Sequence, residues 1–224
     1  MGGKMLIDLS HTIATGMMQV ASLPPVDVCR VSSLAEGART NGQALRLSGH
    51  SGTHIDAPLH VFDELASIET FPAERFIGPG VALSVLKEPR DPVGAADLEA
   101  AARGLIRAGD MVLLHTGWDR YYGDPAYLVD YPSLTLDAAD WLLEHQVRLL
   151  ALDMLSPDLP PARRAPDAQL VVHRRLLGND VLIAENLTGL AAVVGRRLQV
   201  YALPIKIAQG DGAPARICVE VLDA

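Results

Sequence analysis

Three of the seven histidines fall within the eleven-residue segment 50–60, which reads HSGTHIDAPLH. A straight β-strand cannot bring them together, because at about 3.3 Å per residue His50 and His54 would lie roughly 13 Å apart. A regular helix fails as well, because Pro58 would interrupt its hydrogen bonds. We therefore predict a tightly turned segment that bends at Gly52, where glycine allows unusual backbone dihedrals.

Such a turn can direct His50, His54 and Asp56 at one centre. Two imidazoles and a carboxylate form a ligand set for zinc, manganese or iron, with a coordination position left for water or substrate. The alternative is that these side chains are separate polar groups at the end of a strand. Their clustering favours a metal site.

The composition is that of an ordinary globular protein. The chain has 224 residues, 49% of them hydrophobic and 21% charged, which excludes a disordered or fibrous chain. Because a typical domain has about 150 residues, we predict one domain over residues 1–224. The formal net charge is −8 and no basic cluster exceeds an Arg pair, so we expect a small-molecule substrate and no nucleic-acid partner.

The sequence also bears on the cellular compartment. Cys29 and Cys218 lie far apart and predict no disulfide framework, which favours a reducing compartment. Asp8 stands where a signal peptide would have its apolar stretch, and no apolar run approaches the 18 residues of a membrane span. We expect a cytoplasmic protein that does not bind membranes.

Short runs rich in Leu and β-branched residues predict strands that outnumber the helices. The predicted strands are Met5–Leu9, Ala44–Ser48, Val81–Leu86, Met111–His115, Arg148–Asp153, Val181–Asn186, Leu198–Leu203 and Ile217–Leu222. Helical spacing predicts helices over Ala95–Arg107, Thr135–His145 and, after Pro166, Asp167–Leu177. We expect an α/β or α+β protein with a mixed sheet or barrel and without regular βαβ alternation.

Two long segments between these elements are predicted to be irregular. They are Gly117–Ser133 and Ser156–Pro166. Long loops in a compact domain are often lids or binding loops, although a surface or oligomer contact is equally consistent with the pattern.

The segment 50–60 resembles the signature of the cyclase superfamily, which includes bacterial kynurenine formamidases and isatin hydrolases. Further segments along the chain share this resemblance: Asp8–His11, Leu114–Trp118, Leu152–Asp158 and Leu203–Pro214. The resemblance implies a swivelling β/β/α fold, homodimeric or homotetrameric assembly, and one or two divalent ions per subunit, zinc or manganese. It also implies hydrolysis of a small amide.

The resemblance assigns further roles residue by residue. It implies that His50, His54 and Asp56 hold the first metal ion and that Asp56 bridges to a second ion where one is present. A His and a Glu twelve residues later hold that second ion in two-metal formamidases, and His173 and Glu185 have this spacing. An Arg partner or an exposed strand end is the alternative for Glu185. The position of His60 is assigned to proton transfer.

One departure from the family concerns the substrate. Kynurenine formamidases have an aromatic residue, usually Trp, in an N-terminal segment that packs on the substrate ring. The matching segment here is Thr15–Val20, whose methionines cover an aryl ring less specifically. The expected activity is hydrolysis of an aryl amide such as N-formylkynurenine or isatin. The alternatives are hydrolysis or cyclisation of another lactam, lactone or polyketide-like ring, and a non-catalytic metal-containing binding protein.

Overall fold

The computed structural model describes residues 6–165 and 167–222. Met5 and Pro166, which belong to two of the predictions above, lie outside the described residues. The strands are β1 (Leu6–Asp8), β2 (Asp27–Ser32), β3 (Gly42–Arg46), β4 (His54–Asp56), β5 (Ile77–Ser84), β6 (Pro92–Val93), β7 (Met111–His115), β8 (Ser133–Leu134), β9 (Leu149–Leu152), β10 (Leu182–Glu185), β11 (Arg197–Pro204) and β12 (Gly212–Val221). The α-helices are α1 (Ala95–Ala102), α2 (Ala126–Val129), α3 (Leu136–Glu144) and α4 (Val171–Leu177).

The main sheet closes on itself to form a barrel. Its order is β12-β11-β5-β7-β9-β10-β4, and β4 pairs back with β12, while β1 extends the sheet from the edge of β12. The strands β5, β7, β9 and β10 are mutually parallel, whereas the remaining pairs are antiparallel. The predicted mixed α/β barrel is therefore confirmed.

The parallel strands differ from the expectation in one respect. Helices α1, α3 and α4 lie between successive parallel strands in the chain, so this half of the barrel is a regular βαβ succession. The prediction excluded such alternation and was wrong here. Parallel neighbours need a crossover connection, and each helix supplies one.

Strand residues alternate between two apolar cores, because successive side chains point to opposite faces of a sheet. In β7, Met111 and Leu113 belong to the core inside the barrel, whereas Val112 and Leu114 belong to the core under the helices. A strand buried on both faces needs a continuous apolar run. This explains why β7 was predicted with its observed boundaries.

Helix α1 is shorter than predicted. It ends at Ala102, because Arg103 and Gly104 take left-handed conformations with φ of +46° and +73°. Helix α4 begins at Val171, not Asp167. Helix α3 is one residue shorter than predicted at each end.

The loop predictions were partly right. The segment Gly117–Ser133 contains the short helix α2 and a 3-10 turn over Trp118–Tyr121, so it is not irregular throughout. The described part of Ser156–Pro166 is irregular apart from a 3-10 turn over Pro161–Arg163. Among the described residues, no helix is long and apolar enough to cross a lipid bilayer.

Candidate metal centre

Strand β4, which the sequence did not predict, carries two of the candidate ligands and closes the barrel. It pairs antiparallel with β10, so that His54 lies opposite Glu185 and Asp56 lies opposite Ile183. Alternate residues of a strand share a face, and Ile55 belongs to the core inside the barrel. His54 and Asp56 therefore point together to the opposite face, where β10 ends at Glu185.

The turn before β4 returns His50 to the same site. Gly52 has a φ of +65°, and a Cβ added there would lie 2.9 Å from Met17 Cε. His50 Nδ1 lies 2.8 Å from Asp56 Oδ1, and His50 Nε2 lies 2.8 Å from Asp211 Oδ2. The predicted turn is confirmed. Both ring nitrogens of His50 face carboxylates, so it can ligate an ion only by giving up one of them.

Helix α4 and the end of β10 bring the other two candidate ligands to this site. His173 and Glu185 are buried. The His173 Nδ1–H donates to Asp158 Oδ2 at 2.6 Å, and the same carboxylate accepts the backbone N–H groups of Val172 and His173. With Nδ1 held in this way, His173 Nε2 lies 3.2 Å from Glu185 Oε1 and 3.4 Å from Asp56 Oδ2.

Two groups of three side chains share Asp56 and have potential ligand atoms within 4.8 Å of one another: His50, His54 and Asp56, and Asp56, His173 and Glu185. His54 Nε2 lies 3.3 Å from Asp56 Oδ1 and 3.4 Å from Glu185 Oε2. The distances from His173 Nε2 given above fall in the same range. Ligands about 2.0–2.1 Å from a tetrahedral ion lie roughly 3.3–3.4 Å from one another.

Hydrogen bonding also fits a divalent cation at this position. The buried atoms His54 Nε2, Asp56 Oδ2 and Glu185 Oε1 have no hydrogen-bond partner among the described residues. Such atoms are rare because burying an unpaired polar group costs free energy. The carboxylate of Glu185 faces two histidines, and the alternative of an Arg partner is not found in the described parts of the chain.

The carboxylates of the cluster favour the protonated, positively charged form of its histidines. Burial disfavours the imidazolium form, but the Asp56 carboxylate and its neighbours outweigh burial and raise the pKa of His54 to about 10. The same balance raises the pKa of His50 to about 9. Burial would raise the pKa of Asp56, yet His54 and His50 hold it well below its usual value. A divalent cation would satisfy the same carboxylates without protonated histidines.

His60 lies beside this cluster in a 3-10 turn over Pro58–His60. Its ring centroid is 4.2 Å from that of His50 and 5.7 Å from that of His173. Its Nδ1 lies 3.3 Å from Asp211 Oδ2, and its side chain is 25% exposed. The position of His60 is therefore suited to exchanging a proton with a ligand at the cluster.

The cluster forms one side of a cavity of about 320 Å³. The predicted specificity segment Thr15–Val20 contributes Met18 and Gln19 to the lining, and the two long loops contribute Tyr131, Ser156 and Arg164. Leu23, Leu155 and Leu170 add apolar surface. A cavity of this size with apolar walls and a few convergent polar groups is typical of small-molecule sites.

Three residues of the site were not found from the sequence. Asp158 orients His173, and Asp211 contacts both His50 and His60. Asn186 donates from Nδ2 to the Gly52 carbonyl at 3.2 Å, and that carbonyl also accepts the His54 Nδ1–H at 2.8 Å. Asn186 follows Glu185 directly, and Asp211 lies between two glycines, so their places in the chain were the available signals.

The residue after Asp211 must be a glycine because the His50 ring lies against the backbone there. A Cβ at this position would lie 2.7 Å from His50 Cε1 and 2.9 Å from the Ile55 carbonyl oxygen. Only glycine lets β12 pass this close to the His50 ring.

The fold is shared by solved structures of other proteins. The family model of putative cyclases matches residues 7–159. The chain belongs to the putative cyclase family. The predicted family resemblance is therefore confirmed.

Individual proteins are similar to this chain in sequence or in fold. The kynurenine formamidase of Salinibacter ruber is 29% identical over 177 residues, which cover 77% of this chain and 76% of that protein. An isatin hydrolase bound to the product analogue thioisatinate superposes with a TM-score of 0.86 at 24% identity, over 97% of this chain and 92% of the other. A predicted metal-dependent hydrolase from Bacillus stearothermophilus superposes with a TM-score of 0.77 at 26% identity, over 98% and 99% of the two chains.

Proposed function

We propose that this protein is a metal-dependent hydrolase that cleaves the C–N bond of a small aryl amide. The observation that carries the proposal is the set of unpaired buried atoms on His54, Asp56 and Glu185. His54 and Glu185 line a cavity together with His60. The names of the Salinibacter ruber and Bacillus stearothermophilus proteins support the same class of reaction.

The proposed ligands are His50, His54, Asp56, His173 and Glu185. Asp56 Oδ1 faces His50 and His54, whereas its Oδ2 faces His173, which suits a carboxylate shared by two positions. We propose one or two zinc or manganese ions per subunit. A bound divalent ion would supply an activated water molecule and polarise the amide carbonyl.

The protein's own residues would perform the remaining steps. The Asp211 carboxylate accepts the Nδ1–H of His60, which leaves Nε2 as a proton acceptor. Nε2 would take a proton from the attacking water and then pass it to the departing nitrogen. Asn186 and the Gly52 carbonyl hold His54 so that Nε2 faces the carboxylates. Met18, Leu23 and Leu155 provide an apolar surface for the aryl ring.

The test is an absorbance assay of N-formylkynurenine and isatin hydrolysis by metal-analysed protein, before and after chelation. We expect turnover of at least one substrate, loss of turnover on chelation, and recovery when zinc or manganese is restored. Neither substrate being turned over by fully loaded protein would contradict an aryl amidase and direct attention to other lactams and lactones. Turnover that persists after complete metal removal would contradict the metal-dependent mechanism.

We also propose homo-oligomeric assembly, as the family resemblance implies. The β2–β3 hairpin exposes Val31 and Leu45, which are 64% and 59% accessible, and the adjoining Leu34 is 57% accessible. An exposed apolar surface of this kind suits a contact with a second copy of the chain. Light scattering coupled to size-exclusion chromatography distinguishes a dimer or tetramer from a monomer. A monomer would contradict the proposal.

A further inference from the structure

The cavity contains a positively charged group that the proposed reaction does not use. Among the described residues lining it, Arg164 is the only Arg or Lys. Its guanidinium has no ion pair or hydrogen bond within the described parts of the chain. The protein has 27 acidic residues against 19 basic ones, so this lack of a partner does not reflect a shortage of carboxylates.

Backbone contacts fix the position of the Arg164 backbone, from which its side chain extends. It follows the 3-10 turn over Pro161–Arg163, and its N–H donates to the Pro161 carbonyl at 3.2 Å. The side chain is half-buried. Partial burial of an unpaired guanidinium removes some hydration without supplying a replacement, and an anionic ligand would supply it.

Two further polar side chains that line the cavity are suited to hydrogen bonding with an anion. Tyr131 is buried, and its hydroxyl has no hydrogen-bond partner among the described residues. Burial raises the pKa of Tyr131, Glu185 adds to this, and the Arg164 guanidinium partly opposes it, so this phenol lies within electrostatic reach of both charged groups. Ser156 also lines the cavity, and its Oγ accepts the Asp158 N–H at 3.2 Å.

We propose that Arg164 binds a carboxylate of the substrate, so that the substrate class is an anionic aryl amide and not a neutral one. This inference rests on the proposed function. A guanidinium presents two parallel N–H donors that match the two oxygens of a carboxylate. Of the two substrates considered above, N-formylkynurenine bears a carboxylate and isatin does not. Arg164 is thus a specificity-determining residue.

Two substrates that differ by one carboxylate test the proposal. Formanilide is neutral, and N-formylanthranilate is the same amide with a carboxylate added to the ring. In Arg164→Gln we expect KM for N-formylanthranilate to rise about 10- to 100-fold with little change in kcat, because the carboxylate takes no part in bond cleavage. The kinetics with formanilide should stay unchanged, and Arg164→Lys should recover part of the loss.

Arg163→Gln is the matched control. Arg163 is exposed, donates to the Arg90 carbonyl at 3.3 Å, and does not line the cavity, so both substrates should behave as with the unaltered protein. Equal effects of Arg164→Gln on the two substrates, or no effect on either, would overturn the inference while leaving the amide hydrolase proposal in place.

A binding measurement separates failure of this inference from failure of the proposed function. If the unaltered, metal-loaded protein hydrolyses neither amide, the proposed function fails for this substrate class. Calorimetric titration with anthranilate then tests Arg164 directly. We expect Arg164→Gln to bind it about 10- to 100-fold more weakly than Arg163→Gln does, and equal affinities would overturn the inference.

Discussion

Two clusters of histidine and carboxylate side chains in this protein look alike by composition and differ in how their polar atoms are paired. The candidate metal centre contains Asp56 and Glu185, each with a buried oxygen that has no hydrogen-bond partner among the described residues. The second cluster consists of His115, Asp119 and Asp153, whose potential ligand atoms also lie within 4.8 Å of one another.

In the second cluster the protein itself satisfies the polar atoms. Asp153 accepts the N–H and hydroxyl of Thr116 and the N–H of Gly117, with distances between 2.6 and 3.0 Å. Asp119 Oδ2 accepts the N–H of Gly189 at 2.9 Å, and His115 Nδ1 lies 3.3 Å from Ser84 Oγ. Closeness alone therefore does not indicate a metal site. The unpaired atoms distinguish the first cluster, because they require a partner that the described residues do not supply.

Removing a carboxylate from the first cluster should have the largest effect. We expect Asp56→Ala to lose bound metal and to lower turnover on the order of 10³-fold, because Lewis-acid catalysis contributes several kcal/mol. Elemental analysis and the amide assay measure both losses. Asp56→Asn, which keeps the side-chain shape, controls for misfolding. Unchanged metal content in both variants would exclude Asp56 as a ligand.

His60→Ala should separate proton transfer from metal binding. We expect its metal content to equal that of the unaltered protein, while kcat falls about 10²- to 10⁴-fold, which is typical for loss of a general acid. Steady-state kinetics and elemental analysis on one preparation provide the comparison. Loss of metal in this variant would instead assign His60 to the ligand set.

A smaller effect is expected from the residue that orients His173. Asp158→Asn weakens the hydrogen bond to His173 Nδ1, and we expect metal affinity to fall about 10- to 100-fold. Competition with a chromophoric chelator measures this change. An unaltered affinity would mean that burial alone holds the His173 ring.

The second cluster should show no effect on metal binding. Asp153→Asn replaces a buried acceptor of several N–H and O–H donors, and we expect the free energy of unfolding to fall by about 1–3 kcal/mol. Metal content and metal affinity should stay as they are, which urea titration and elemental analysis check together. A decrease in bound metal would remove the distinction between the two clusters.

The predictable part of the fold is the part with strong local signals. Strand β7 was predicted with its observed boundaries because a strand buried on both faces is apolar throughout. Strand β4 was missed because it has three residues, two of them polar, and exists only by pairing with β10 and β12. Helix α1 was predicted too long because its apolar spacing continues beyond Arg103, where the backbone turns left-handed.

The chemistry of segment 50–60 can be predicted from the amino-acid sequence alone: two histidines, a carboxylate, a further histidine and a glycine at the bend. These residues are close along the chain, and covalent geometry limits how far apart they can lie. The distant groups that complete the site are brought there by tertiary contacts. The register of β10 against β4 places Glu185 beside His54, and loops far along the chain bring Asp158, Asp211 and Arg164 to the cluster and its cavity. These placements depend on barrel closure, which no local pattern encodes.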